Sequence, residues 1–395
     1  VNMPFPSDLP SLRPTRIIFV RHGQSTYNAE KRYQGSCDDS VLTDVGCDGA
    51  LKTGVALQSE SISAIYTSPL KRAQQTAQGI LQTCDRPITF HTHSALKEID
   101  LPDWEGLPFK YVREHLAADY HCWRERPHQF QMQVETEVVS GRGAAVAARV
   151  KTAVFPVLEL YDRAQRFWAE ILPRHTGQTV LVVSHGGTIR ALLQTALGLD
   201  ASQFHGFQQS NCGISIVEFS HPESPQATLV AMNQTAHLGE VLPKAKDGKR
   251  GLRLVLASDS GLDRSSALAQ FLHTADLDFS LSLDRPSCQA LTDRILQHHP
   301  AIVQLQVARN DFPRIWQHAI AASRQSGNSL FGTTPQFDNL RPMTGLVVAD
   351  DFVMRTLLER AIGNPINLRL VADSISVVYY PIISQDPVLQ TLNQM

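Results

Sequence analysis

Short runs of apolar, largely β-branched residues alternate along this chain with stretches that carry apolar residues at helical spacing. Ile17-Ile18-Phe19-Val20 and Val180-Leu181-Val182-Val183 lack the polar alternation of a half-exposed strand. Each reads as a strand buried on both faces, the signature of a parallel sheet covered by helices. Ser63–Thr67 and Ile214–Phe219 read as further strands. Between the strands, Thr43 is placed to cap a helix over about Asp44–Leu57. Ser68-Pro69 has the form of a helix start, with Ser68 as cap and Pro69 in the first position. Phe155–Leu172 carries Leu158, Tyr161, Phe167, Trp168, Ile171 and Leu172 as a stripe that packs in a core. Val134–Ala153, with Gly141-Arg142-Gly143 and an alanine-rich run, reads as a loop leading into a helix. Strands alternating with helices predict an α/β fold.

The two most apolar strands end in chemistry. The first runs into Arg21-His22-Gly23, the second into Ser184-His185-Gly186-Gly187 and a helix. In open α/β sheets ligands bind beyond the carboxyl ends of the strands, and a helix start such as Gly186 offers backbone N–H groups to an anion. Gly23 is expected to allow a sharp turn and a close ligand approach. Arg72, in Ser68-Pro69-Leu70-Lys71-Arg72, falls in a first helical turn. The helix dipole opposes a cation there, so an anionic partner is expected. Glu98 lies between the anchors Leu96, Ile99 and Trp104, with Asp100, Asp103 and Glu105 as alternatives. Singly, these residues read as a solvated Arg-His pair, a helix arginine, a core histidine and a surface carboxylate. Converging, Arg21, His22, Arg72 and His185 form a cationic pocket suited to a phosphate dianion. With no obvious catalytic Ser, Cys or metal beside them, a histidine is the natural nucleophile. Residues 111–130, rich in His, Arg and Trp, are expected to form a helical lid.

Composition narrows the setting. A single core stops growing at roughly 250–300 residues, so 395 residues predict two domains. Lys244–Gly251 reads as the linker, dividing residues 15–242 from 252–395. A net charge of −2 supplies no basic field for nucleic acid or an anionic membrane. Val1–Pro14 is polar and proline-punctuated, unlike a signal peptide, and no run approaches the roughly 20 residues of a membrane span. Cys37, Cys47, Cys84, Cys122, Cys212 and Cys288 are scattered and read as reduced thiols of a cytoplasmic protein. His91 and His93 lack partners at metal-site spacing, so neither metal nor cofactor is expected. The later part echoes the earlier: Leu346–Leu358 matches Leu181–Leu193, with Asp350 where His185 stands. Ser260-Gly261-Leu262-Asp263-Arg264 echoes Ser68–Arg72, and Ser374–Tyr380 echoes the strand at Ile214. Leu254–Ala257 stands for either the first or the second strand.

Arg21-His22-Gly23 with Asn28, Arg72 in its Ser-Pro-Leu-Lys-Arg setting, Glu98, and Ser184-His185-Gly186-Gly187 together resemble the histidine phosphatase superfamily, which includes the cofactor-dependent phosphoglycerate mutases. The resemblance spans about Thr15–Leu242. It implies a three-layer α/β/α sandwich with a mostly parallel sheet, of which the echoes in the later part read as a degenerate, inactive copy. It also implies a phosphohistidine on His22. Arg21, Arg72 and His185 would hold the phosphoryl oxygens with Asn28 assisting, and Glu98 would be the acid/base. Gln34, Gly35 and Gly186 complete the expected substrate contacts. The mutases resemble one another in a Glu-Arg-His-Tyr-Gly segment after the acid. This chain has Glu98-Ile99-Asp100-Leu101-Pro102-Asp103-Trp104-Glu105-Gly106 there, which resembles the phosphatase branch. The expectation is a metal-independent phosphomonoesterase acting on a small phosphorylated metabolite, of the phosphoserine or phosphoglycerate class. The alternatives are a mutase using the same phosphohistidine and a silent sensor of phosphometabolites.

Overall fold

The computed structural model describes residues 13–84, 87–139, 147–221, 226–245, 250–259, 265–324, 341–382 and 386–395. Its first half runs β1 (Thr15–Arg21), the single turn α1 (Thr26–Ala29), α2 (Asp44–Ala56), β2 (Ile62–Thr67), α3 (Lys71–Leu81), β3 (Thr89–Thr92), α4 (Phe109–His115) and α5 (Ala117–Glu125). It continues through β4 (Met132–Val139), β5 (Ala147–Val154), α6 (Pro156–Arg174), β6 (Thr179–Ser184), α7 (Gly186–Ala196), β7 (Ile214–Phe219) and β8 (Thr228–Gln234). The second half runs β9 (Gly251–Ser258), α8 (Ser265–Leu272), β10 (Phe279–Leu283), α9 (Pro286–Leu296), β11 (Val303–Val307) and α10 (Phe312–Arg324). It ends with β12 (Met343–Ala349), α11 (Asp351–Ile362), β13 (Ile375–Pro381) and β14 (Val388–Gln394). Among the described residues, no helix is long and apolar enough to cross a membrane.

The register of the central strands sets the level of everything beyond them. β1 pairs parallel to β6 with Arg21 opposite Ser184, and β6 pairs parallel to β2 with Val183 opposite Thr67. The three strands therefore end side by side, and the next residues, His22, His185 and Ser68, emerge at one edge. Ile17–Val20 and Val180–Val183 are fully buried, because helices cover both faces. Ile18, Val20, Leu181 and Val183 pack with Ala73, Ala77 and Ile80 of α3, while Phe19, Val180 and Val182 pack with Phe167, Trp168 and Ile189 of α6 and α7. Phe19 meets Trp168 edge-on at 5.9 Å, a favourable aromatic geometry.

Local expectations fare unevenly. Thr43 caps α2 as expected, its side chain accepting the Gly46 N–H. Leu158 is exposed rather than in the α6 stripe, whereas Leu160 and Ala164 are buried. The segment read as a loop entering a helix is instead the antiparallel hairpin β4–β5, with Val134 opposite Thr152. β-branched Val150, Thr152 and Val154 recur at the strand period of two, a pattern the alanines conceal. Gly141-Arg142-Gly143 lies outside the described residues.

The second half repeats the strand order of the first. One continuous sheet reads β11-β10-β12-β9-β13-β14-β8-β7-β1-β6-β2-β3, so each strand of either half holds the same rank in its own half. β9 sits between parallel β12 and antiparallel β13, as β1 sits between β6 and β7, which assigns Leu254–Ala257 to the first strand. The Ser260–Arg264 segment therefore follows the counterpart of β1, not of β2, and it lies outside the described residues. The place of Ser68-Pro69 is taken by Arg285-Pro286 at the start of α9.

The halves join where β14 pairs antiparallel with β8, Leu392 opposite Met232. Two asparagines at positive φ, Asn233 at 52° and Asn393 at 57°, stitch this junction reciprocally. Asn233 Nδ2 donates to Gln390 O at 2.7 Å, and Asn393 Nδ2 donates to Val230 O at 2.6 Å. Side-chain amides thus supply partners that the short ladder leaves open.

Candidate active site

His22 is almost wholly buried at the end of β1. Its Nδ1 donates to Gly23 O at 2.7 Å, so Nδ1 carries a proton. Gly23 has an ordinary φ and serves packing rather than a turn. A Cβ there would collide with the backbone of Gly46, so β1 and α2 touch backbone to backbone. The Asn211 amide donates to His22 O at 2.9 Å, Gly23 O at 3.1 Å and Asn28 Oδ1 at 2.9 Å. Asn211 was not legible as a site residue. The only signal was an amide-rich run, Gln208-Gln209-Ser210-Asn211, before β7.

Around His22 the structure gathers Arg21, Arg72 and His185. The His22 and His185 rings lie 5.1 Å apart. Arg21 Nη1 donates to Gln209 O at 2.9 Å. Arg72 donates to Cys37 O and Gly35 O, each at 2.9 Å. Arg21 Nε, Arg72 Nε and His185 Nδ1 are buried with no hydrogen-bond partner. Burial, opposed by the charge of Glu98, brings the Arg21 guanidinium down to about 10. Arg72 is lowered for the same first reason. His185 is held well below its usual value, by burial first and then by Arg72, His22 and Arg21, so it is neutral at pH 7.

α3 begins differently from its sequence signature. Ser68 does not cap the helix, which starts at Lys71 behind Leu70 with no side-chain cap. Its hydroxyl is taken by His185 Nε2 at 2.7 Å and accepts the Leu70 N–H at 3.3 Å. The shift leaves Arg72 as the second helical residue, facing into the cluster.

Glu98 closes the constellation from the side of α7. Its carboxylate accepts from Gly187 N at 3.2 Å, Thr188 N at 3.1 Å and its neighbour Ile99 N at 2.9 Å. The first two are free N–H groups of a helix start, where negative charge is favoured. The rival carboxylates have other partners or none. Asp100 takes the Ser36 hydroxyl at 2.9 Å, Glu105 takes the Cys37 N–H at 2.9 Å, and Asp103 is exposed.

The expected substrate contacts divide. Gly186 begins α7, and a Cβ there would come 3.3 Å from Arg21 Nε, so it lies inside the cluster. Gly35 presents its carbonyl to Arg72, and Gln34 accepts from Ser25 Oγ at 2.9 Å. Both order the 34–37 loop. Asn28 completes the capping box of α1 with the cap Ser25, accepting from Ser25 N and from Asn211. The residues expected as a lid form α4 and α5, anchored by Trp123 against Trp104 and Phe204. His91 and His93 are engaged elsewhere, stacked on Tyr66 and paired with Glu170.

A histidine beside two arginines, at the carboxyl edge of the parallel strands β1, β6 and β2, defines an anion-handling α/β site. Residues 17–235 match the histidine phosphatase superfamily (branch 1), and the chain belongs to that family. Its relatives include 2-carboxy-D-arabinitol-1-phosphatase of Triticum aestivum, 34% identical over 261 residues. That match covers 65% of this chain and 48% of the wheat protein, so the chain spans about half of that relative's length. Phosphoserine phosphatase 1 of Hydrogenobacter thermophilus is 32% identical over 230 residues, covering 58% of this chain and 97% of its own. A probable phosphoglycerate mutase of Salmonella choleraesuis is 32% identical over 208 residues, covering 53% and 86%.

Proposed function

We propose that this chain is a phosphomonoesterase that hydrolyses a small phosphorylated hydroxy acid through a phosphohistidine on His22, with no metal required. The observation that carries the reading is the set of buried polar atoms on Arg21, Arg72 and His185, unpartnered beside His22. Unpaired buried polar groups are costly, and a phosphoryl group supplies the charge and acceptors they lack. His22 Nε2 attacks phosphorus, and the ester P–O bond breaks. With the phosphoryl dianion bound beside it, which favours the neutral acid, Glu98 gives a proton to the departing alkoxide. Glu98 then takes a proton from the water that attacks the phosphohistidine, releasing orthophosphate and restoring His22. Arg21, Arg72 and His185 stabilise the transferring oxygens, which is most of what phosphoryl transfer asks of a protein. The relatives support the substrate class, being named for phosphate esters of hydroxy acids.

The second half, with the first half's strand order, reads as a degenerate copy that catalyses nothing. Asp350 caps α11 in the place where His185 caps α7. Its carboxylate is engaged by Arg285, at 2.9 Å, and by Arg309. An internal carboxylate thus stands where the first half leaves its polar groups open.

Phosphate release tests the reading, with chelator present, from phosphoserine, 3-phosphoglycerate, a sugar phosphate and p-nitrophenyl phosphate. Release that disappears in His22→Ala supports it. Interconversion of phosphoglycerates on addition of bisphosphoglycerate, without net release, would replace it with the mutase reading. Stoichiometric binding without turnover would leave a sensor.

A further inference from the structure

The turn that carries Glu98 is held at three successive carbonyls by side chains from three elements. Ser184 Oγ of β6 donates to Leu96 O at 2.8 Å. Thr188 Oγ1 of α7 donates to Lys97 O at 2.6 Å. Arg163 Nη2 of α6 donates to Lys97 O at 2.7 Å and to Glu98 O at 3.1 Å. Arg163 is the one charged member of this set and the one that reaches the backbone of Glu98 itself. It is half-buried, and its Nε is buried with no hydrogen-bond partner. Nothing in the sequence marked it, because it sits amid the apolar stripe of α6.

We infer that Arg163 is a positioning residue for the reaction: it fixes the Glu98 turn so that the carboxyl group meets the leaving oxygen. The inference rests on the acid role given to Glu98 above. Its physical basis is the wedge. A guanidinium reaching two adjacent carbonyls leaves the turn little freedom, and near-attack geometry degrades steeply with displacement. Thr188 does not do the same, since its hydroxyl reaches Lys97 O at 2.6 Å and the Glu98 carboxylate only at 3.4 Å, and not Glu98 O.

Leaving-group chemistry separates positioning from a general loss of structure. Over the steps up to departure of the alcohol, which kcat/KM reports, an alkyl phosphate needs the acid, whereas p-nitrophenolate departs without it. The comparison uses the full chain, its Glu98→Gln, Arg163→Met and Arg163→Lys variants, and both the best alkyl phosphate of the panel and p-nitrophenyl phosphate. Arg163→Met is expected to lose about 10–100-fold in kcat/KM on the alkyl phosphate and less than about threefold on the aryl phosphate, where no acid is needed. Arg163→Lys, which keeps the charge and one reachable carbonyl, is expected to recover part of the alkyl loss with the same bias. Should Arg163→Met not fold, the bias in Arg163→Lys decides. Equal losses on both substrates would overturn the inference. So would a split in Glu98→Gln with none in the Arg163 variants, and that result leaves the phosphatase reading standing. No split in Glu98→Gln would remove the acid role and the inference together.

Discussion

The paired asparagines at the junction permit a comparison in which the same chemistry is removed at two places and only one touches the candidate site. Asn233 holds Gln390 O at 2.7 Å and accepts the Ser210 N–H at 2.6 Å, both buried. Asn233→Ala strands these two groups, at about 1–3 kcal/mol each. It also puts Ala at a φ of 52°, which costs roughly 1–2 kcal/mol more. A destabilisation of about 3–8 kcal/mol is expected. Asn233→Gly should recover about 1 kcal/mol of it by relieving the backbone alone. Asn393→Ala removes the bonds that its amide donates to Val230 O at 2.6 Å and Arg369 O at 2.7 Å and the one it accepts from Val371 N at 3.1 Å, and should cost at least as much. Catalysis distinguishes the two. Ser210 belongs to the loop whose Gln209 carbonyl holds Arg21 and whose Asn211 holds the His22 carbonyl. Asn233→Ala should therefore lose about tenfold in kcat/KM through misplacement of Arg21, while the folded fraction of Asn393→Ala keeps the parent value. Urea unfolding followed by fluorescence gives the stabilities, and phosphate release at low urea gives the kinetics. A loss under about 1 kcal/mol in Asn233→Ala would show the stitch to be incidental. Equal kinetic damage from both variants would refute the loop argument.

Three further outcomes follow from the same geometry. Orthophosphate at about 100 times its Kd should stabilise the chain by about 2.7 kcal/mol, and Arg72→Met should abolish most of that shift; equal thermal shifts in both would contradict the buried anion cradle. His185 is depressed from 6.5 by burial, so below that pH the unfolded chain takes a proton that the folded chain refuses. Stability is unaffected above pH 6.5 and falls below it by up to about 1.4 kcal/mol per pH unit, a slope that His185→Gln should flatten in denaturant titrations at pH 5–7. A Cβ at Gly187 would lie 2.6 Å from Glu98 Oε1. Because the Gly187 and Thr188 N–H groups hold that carboxylate, Gly187→Ala should displace it at a cost of about 1–3 kcal/mol while turnover of alkyl phosphates falls; intact turnover would argue against it.

Where physics is local or periodic, the sequence alone was enough. The continuous apolar runs specified β1 and β6, because only strands buried on both faces dispense with polar alternation. Thr43 specified the start of α2 through its own hydroxyl. The order of Arg21-His22, Arg72, Glu98 and His185 pointed to phosphate chemistry because each follows a recognisable strand end or helix start. Tertiary structure decided what depends on a partner distant in the chain. Ser68 gave up its cap because His185, 117 residues later, took its hydroxyl. Gly23 matters because the backbone of α2 lies against it, which no property of the tripeptide reveals. Asn211, Thr188 and Arg163 act on carbonyls of other elements, and their side chains carry no periodicity to betray them. The hairpin β4–β5 hid behind alanines whose helix propensity yielded to cross-strand pairing. The junction of the halves carries two asparagines at positive φ, each at a register shift in the last strand pair of its own half, which the residues beside them do not announce.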